Sequence, residues 1–236
     1  MEKYVTETVV VGVVSWTSAF VILRRLFPKR SFDFCNRLVS CLHATLAVTL
    51  AWLSIEDWRC PICGVGSKSS PQQMQVLAVS LSYLIYDLAC CHFGERVNLD
   101  NTVHHLVSIV GIGAGLVYQK CGSEMVATIW ITEISSPCLH LRELLKELGY
   151  RDTPLNLAAD IDIKCVEAEF DAIAQILFAG IFSFARMLVG PCITYMTLSA
   201  DYPLLIKAMG LGLQLVSAFW FFKIVRMIKR KLSKGP

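Results

Sequence analysis

The chain of 236 residues is 55% hydrophobic and only 17% charged, and its mean hydropathy is +0.54, which a soluble domain of this length would not show. A formal net charge of +3 is too small to indicate nucleic-acid binding, so membrane lipids are the expected partners and no nucleic acid is. The expected fold is all-α: a polytopic membrane protein of about seven transmembrane helices. Thr6 to Phe27 is the first apolar segment. It is too long for a signal-peptide core and lacks a small-residue cleavage site, so it reads as an uncleaved span. Arg24, Arg25, Lys29 and Arg30 follow, with Pro28 as a breaker. Asn36 to Ile55 is the second span, and a polar loop with Pro61 and Pro71 comes next. Gln73 to Phe93 and Val103 to Gln119 are the third and fourth. Ser123 to Leu145 is the fifth, with a kink expected at Pro137. Residues 149–170 are polar and acidic. Ala172 to Val189 is the sixth span, ending at Gly190-Pro191, and Pro203 to Val225 is the seventh, before a basic tail.

Basic residues set the expected orientation, because cytosolic loops are enriched in Lys and Arg. With the N-terminus in the lumen, the cytosolic side holds Arg24, Arg25, Lys29, Arg30, Arg37, Arg96, Arg142, Lys146, Arg151, Lys164 and the basic tail. The lumenal side holds Lys3, Arg59, Lys68 and Lys120. An endomembrane such as the endoplasmic reticulum is the expected location. The ten cysteines show no disulfide framework; most sit in apolar segments, where a free thiol behaves as a small hydrophobe. Cys60-Pro-Ile-Cys63 is a lone pair, read as a local disulfide or free thiols rather than a zinc or redox motif.

Ionisable groups inside spans are expensive and face a bundle interior. Helical spacing places His104, Ser108, Gly111 and Gly115 on one face, over small residues that admit a close neighbour. Tyr83, Tyr86, Asp87 and Cys90 share a face of the third span. Glu133, Ser136, Pro137 and His140 share one in the fifth, and Asn36, Ser40 and His43 one in the second. These faces converge in the cytosolic half on an expected polar cavity. His104 and His105 are its candidate bases or nucleophiles, and Asp87 and Glu133 its candidate acids. Arg37, His43, Tyr83, Tyr86, His140 and Arg186 are candidate lipid contacts. Arg186 reads as lying near the lumenal end, where it snorkels or pairs with lipid phosphate or Glu124. Trp52, Trp58 and Tyr195 read as interfacial belt residues. Adjacent histidines diverge by about 100° on a helix and lack the i, i+4 spacing of a zinc pair, so no metal or cofactor is expected.

With these residues in place, the chain resembles the TLC-domain family of membrane proteins, and most of all its small transmembrane members without assigned activity. The likeness is carried by Asn36-Arg-Leu-Val-Ser40 with His43, Tyr83-Leu-Ile-Tyr-Asp87, His104-His-Leu-Val-Ser108, and Glu133-Ile-Ser-Ser-Pro137 with Leu141-Arg142. Phe184-Ala-Arg186 before Gly190-Pro191 adds a looser match. The resemblance divides the chain into residues 1–30 (first helix and basic loop), 31–225 (TLC domain) and 226–236 (basic cytosolic tail). It implies six helices in a ring around a central lipid cavity, with one helix outside. The family's ceramide synthases use a His pair at the matching place to transfer an acyl group from acyl-CoA to a sphingoid base. That implies His104 and His105 here, with acyl-CoA as a substrate. The synthases also carry a second His-Asp, which Gly122 to Thr132 lacks; Glu133 stands in for a later acid. This departure favours lipid binding or membrane-lipid homeostasis, with acyl transfer as the alternative. Residues 161–175 are a further departure, read as an extra amphipathic helix or a splice or gene-model variant.

Overall fold

The computed structural model describes residues 3–55, 57, 67–93, 99–148 and 177–232. The Cys60–Cys63 pair, Trp58 and residues 161–175 lie outside them. Among the described residues all regular structure is helical, apart from one isolated bridge between Lys68 and Lys120. The helices are α1 (Lys3–Leu26), α2 (Phe32–Ser54), α3 (Pro71–Phe93), α4 (Leu99–Tyr118), α5 (Gly122–Glu133) and α6 (Ser136–Glu147). They continue with α7 (Leu177–Ser199) and α8 (Leu204–Leu232). Five of them, α1, α2, α3, α7 and α8, are long and apolar enough to cross a membrane by themselves. The protein is an all-α polytopic membrane protein.

Helix contacts run α2–α3–α4–α8–α7–α5 and back to α2, which closes a ring of six. Helix α1 lies outside it, against α3 and α2. Lipid tails are as apolar as leucine, so association inside a membrane depends on close packing and polar contacts rather than on water expulsion. The chain supplies both. Ala44, Ala47 and Ala51 are buried on α2. A Cβ on Gly12 of α1 would come within 2.2 Å of Ser82 Oγ on α3. Trp16 of α1 donates its indole N–H to the same Ser82 Oγ at 3.2 Å.

Two expectations about the spans need correction. The fifth is not one kinked helix but two, α5 and α6, separated at Ile134 and Ser135. Pro137 has no N–H, and its ring clashes with the carbonyl four residues earlier, that of Glu133; α5 ends at that residue. The sixth does not end at Gly190-Pro191. It runs on to Ser199 through a π-helical stretch, Phe184–Val189, in which the Gly190 N–H reaches Ala185 O. The next such bond would run from Pro191 to Arg186 O, and Pro191 cannot donate it. Gln214 of α8 donates there instead, Nε2 to Arg186 O at 3.1 Å. The seventh agrees with expectation: Leu204–Arg226 is long and apolar enough to cross a membrane, and its helix continues into the basic end, through Leu232.

Two ends of the bundle are distinct. At one, Lys68 and Lys120 pair in the bridge, and Lys207 donates to Leu198 O at 2.8 Å. At the other, Glu147 at the end of α6 accepts from Ser31 N at 2.9 Å and Ser31 Oγ at 2.6 Å. Ser31 in turn caps α2, its Oγ accepting from Phe34 N. Lys223 and Asp100 form an ion pair at the same end.

Candidate functional site

All six ring helices line one central cavity of about 120 Å³. Toward the Arg30 end it is bounded by His104 and Glu133, with His43 and Ser80 on the α2–α3 wall. Its middle is apolar: Leu84, Ile112, Met125, Ile129 and Met209. Toward the Lys68 end it reaches Glu124 and Cys121. His104 sits under Trp220, ring centroids 4.9 Å apart, and edge-on to His105. Its Nδ1 is buried with no hydrogen-bond partner among the described residues.

His105 does not line this cavity. It turns to α3, where its Nε2 lies 3.2 Å from Asp87 Oδ2. The other carboxylate oxygen, Oδ1, accepts from Asn36 Nδ2 at 2.7 Å, and Asn36 Oδ1 accepts from Tyr86 OH at 2.7 Å. A chain Tyr86–Asn36–Asp87–His105 thus ties α2, α3 and α4 together. Such a chain is costly when incomplete and specifying when complete.

A family model for the TLC domain matches residues 33–226. The chain belongs to the TLC-domain family. No solved structure matches it.

Within this TLC domain the remaining site candidates are placed as follows. His43 is stacked on Tyr83, centroids 3.7 Å apart and planes 6° from parallel, with Trp16 edge-on at 5.7 Å. Neither ring nitrogen of His43 has a hydrogen-bond partner among the described residues. Tyr83 and Tyr86 are buried behind the cavity wall, in a cluster with Trp16, Val39 and Cys90. Arg37 and His140 are half-buried on α2 and α6 and lie off the cavity. Of the four polar faces, His43, His104 and Glu133 line the cavity, and Asp87, with His105, locks helices beside it.

Arg186 departs furthest from its expected position. It neither snorkels nor meets Glu124. It is buried, with Nη1 donating to Ser217 Oγ at 3.3 Å and Nη2 to Thr132 O at 3.4 Å. Its guanidinium lies over the rings of Phe182 and Trp220, and Glu133 is near enough for their charges to interact. The π-helical stretch carries Arg186 at this point, and the extra residue per turn alters which face it presents.

The residue that sequence reasoning undervalued is Glu124. It is 2% exposed, lines the cavity and accepts a hydrogen bond from Tyr202 OH through Oε1. Its Oε2 is buried without a hydrogen-bond partner among the described residues. The available signal was an acid in the first turn of an apolar helix, which usually reads as dipole complementation. Of the belt residues, Trp52 and Tyr195 are exposed on the outer surface. The seven described cysteines are unpaired.

Proposed function

We propose that this TLC domain binds one end of a membrane lipid in its central cavity and acts in membrane-lipid homeostasis. The observation that supports the reading is a cavity lined from all six ring helices, apolar along its middle, with ionisable groups at both ends. Its size favours part of a lipid rather than a whole one, since a cavity of roughly 150 Å³ takes a benzene molecule. The expected ligand is an amphiphile whose chain fills the apolar middle. His104, whose Nδ1 has no hydrogen-bond partner among the described residues, meets a polar group at one end. Of the other candidate contacts, His43 forms part of the wall, Tyr83 and Tyr86 support it from behind, and Arg186 braces the cavity-lining Thr132 through its carbonyl.

Native mass spectrometry of the protein in mild detergent tests this reading. Wild type is expected to carry lipid. His104→Ala is expected to change lipid occupancy several-fold with little loss of melting temperature, whereas His105→Ala is expected to lower stability by about 1 kcal/mol and keep the lipid. Wild-type protein free of lipid, or equal destabilisation with unchanged lipid in both variants, would sink the proposal.

A second reading is acyl transfer from acyl-CoA to an amine, which the exposure of His104 to the cavity favours. Against it, a base or nucleophile is normally oriented by an acid; Asp87 holds His105, which lies off the cavity, and Glu133, at the cavity, interacts with Arg186. The same spectra decide, because an acyl group left on His104 is a covalent mass increment.

For the membrane we place the N-terminus in the lumen and the C-terminus in the cytosol, in an endomembrane such as the endoplasmic reticulum. The clustering of Arg24, Arg25, Lys29 and Arg30 at one end of the bundle supports this. A cysteine at Lys29 is expected to react with an impermeant reagent applied to intact vesicles, and a cysteine at Lys68 to be protected. The reverse pattern inverts the orientation.

A further inference from the structure

We propose that Asp87, Cys91 and His105 form a metal site of zinc type between α3 and α4. Asp87 and Cys91 are four residues apart on α3, so their side chains share a face. His105 comes to that face from α4. One carboxylate oxygen of Asp87, the Cys91 sulfur and one ring nitrogen of His105 all lie within 4.8 Å of one another. The closest pair, Oδ2 and Nε2, is 3.2 Å apart. Two ligands of a tetrahedral zinc, each about 2.0–2.1 Å from the ion, stand at about that separation.

Three further features point the same way. The Asp87 oxygen that faces away from the site is held by Asn36, which is held in turn by Tyr86; outer-shell hydrogen bonds of this kind orient metal ligands. The charges also balance. A thiolate and a carboxylate neutralise a dication, and a neutral complex is what a poorly solvated interior accepts. Finally, sulfur, nitrogen and oxygen donors together suit zinc rather than magnesium or calcium. With three protein ligands the fourth position is open to water or a small donor, as in catalytic rather than structural zinc centres. His105 Nδ1, the nitrogen usually steadied by a second group at such centres, has no hydrogen-bond partner among the described residues. Binding is therefore expected to be exchangeable.

The expectation of no metal considered His104 and His105 as a pair. His104 is not part of this set; its neighbour is, with two residues from another helix. The site lies off the lipid cavity, so it stands or falls independently of lipid binding.

The test uses the full chain carrying Cys60→Ser and Cys63→Ser, which removes the other candidate thiol pair. Protein purified from zinc-supplemented cells is analysed for metal, and Co²⁺ is titrated into the chelator-treated form. The expected result is a single zinc per chain. Co²⁺ should give visible d–d bands together with a thiolate charge-transfer band. Cys91→Ser should abolish the charge-transfer band and weaken binding by at least about 10- to 100-fold, the loss that even outer-shell changes produce; His105→Gln should weaken it similarly. The melting temperature of Cys91→Ser in chelator should equal that of its parent, which separates lost metal from lost fold. Parent protein without zinc and without cobalt bands overturns the proposal, with no variant needed. So does zinc retained undiminished in Cys91→Ser, or a cobalt spectrum lacking the thiolate band.

Discussion

Asp87→Ala is expected to lower the unfolding free energy in detergent by about 2–3 kcal/mol. Interhelical hydrogen bonds inside membranes average about 0.6 and reach about 1.7 kcal/mol; Asp87 makes one, to Asn36, and a 3.2 Å ion-pair contact to His105 Nε2. Its removal also leaves half-buried Asn36 Nδ2 without its acceptor and buried His105 without its acid, which adds to the cost. Asp87→Asn keeps an acceptor for Asn36 and should lose only about 1 kcal/mol. Insertion is not the cause, because replacing a charged residue lowers the cost of entering the bilayer. The measurement is an unfolding titration of Asp87→Ala, His105→Ala and the double variant, all in chelator so that any metal contributes nothing. If the carboxylate and imidazole act together, the double variant is less destabilised than the two single losses added. Strict additivity would show that the pair does not tie α3 to α4.

That pairing was half legible in the sequence. Helical spacing separated His104 from His105, and the structure puts the first on the cavity and the second against a neighbouring helix. Spacing alone could not say which acid the second would meet, because that depends on the rotation of α3 against α4. Apolar segment lengths gave the spans, and the ring was implied by the family likeness alone. Pro137 and Pro191 were both visible as breakers, yet they act differently. Pro137 splits its span. Pro191 is absorbed by a π-helical stretch, because Gln214, on another helix, satisfies the carbonyl it leaves open. No local pattern reports a compensating group 23 residues away. Glu124 was hidden for a similar reason: its partner Tyr202 and its place in the cavity arise only when α5 packs against α7 and α8.

Arg186 shows the largest consequence of that absorbed proline, and its replacement is expected to be the other most damaging change. Arg186→Met should cost about 3 kcal/mol. It removes the donors to Thr132 O and Ser217 Oγ and the cation above Trp220 and Phe182. It also deprives Glu133 of a positive charge near enough to interact with it, though not in a contact ion pair; breaking a contacting buried pair from one side is worth about 3–5 kcal/mol in water-soluble proteins. The lower end of that range applies here because the unfolded chain in detergent also finds partners for its polar groups. Arg186→Lys should recover only part of the loss, since an ammonium cannot span two acceptors and stack on rings as a planar guanidinium does. The decisive variant is Arg186→Met combined with Glu133→Gln. With both charges gone no buried charge is left unpaired, so the double variant should be more stable than Arg186→Met alone. If Glu133→Gln instead adds its own loss to that of Arg186→Met, the two side chains do not neutralise one another. Arg186 would then stabilise α7 through its hydrogen bonds and ring contacts alone.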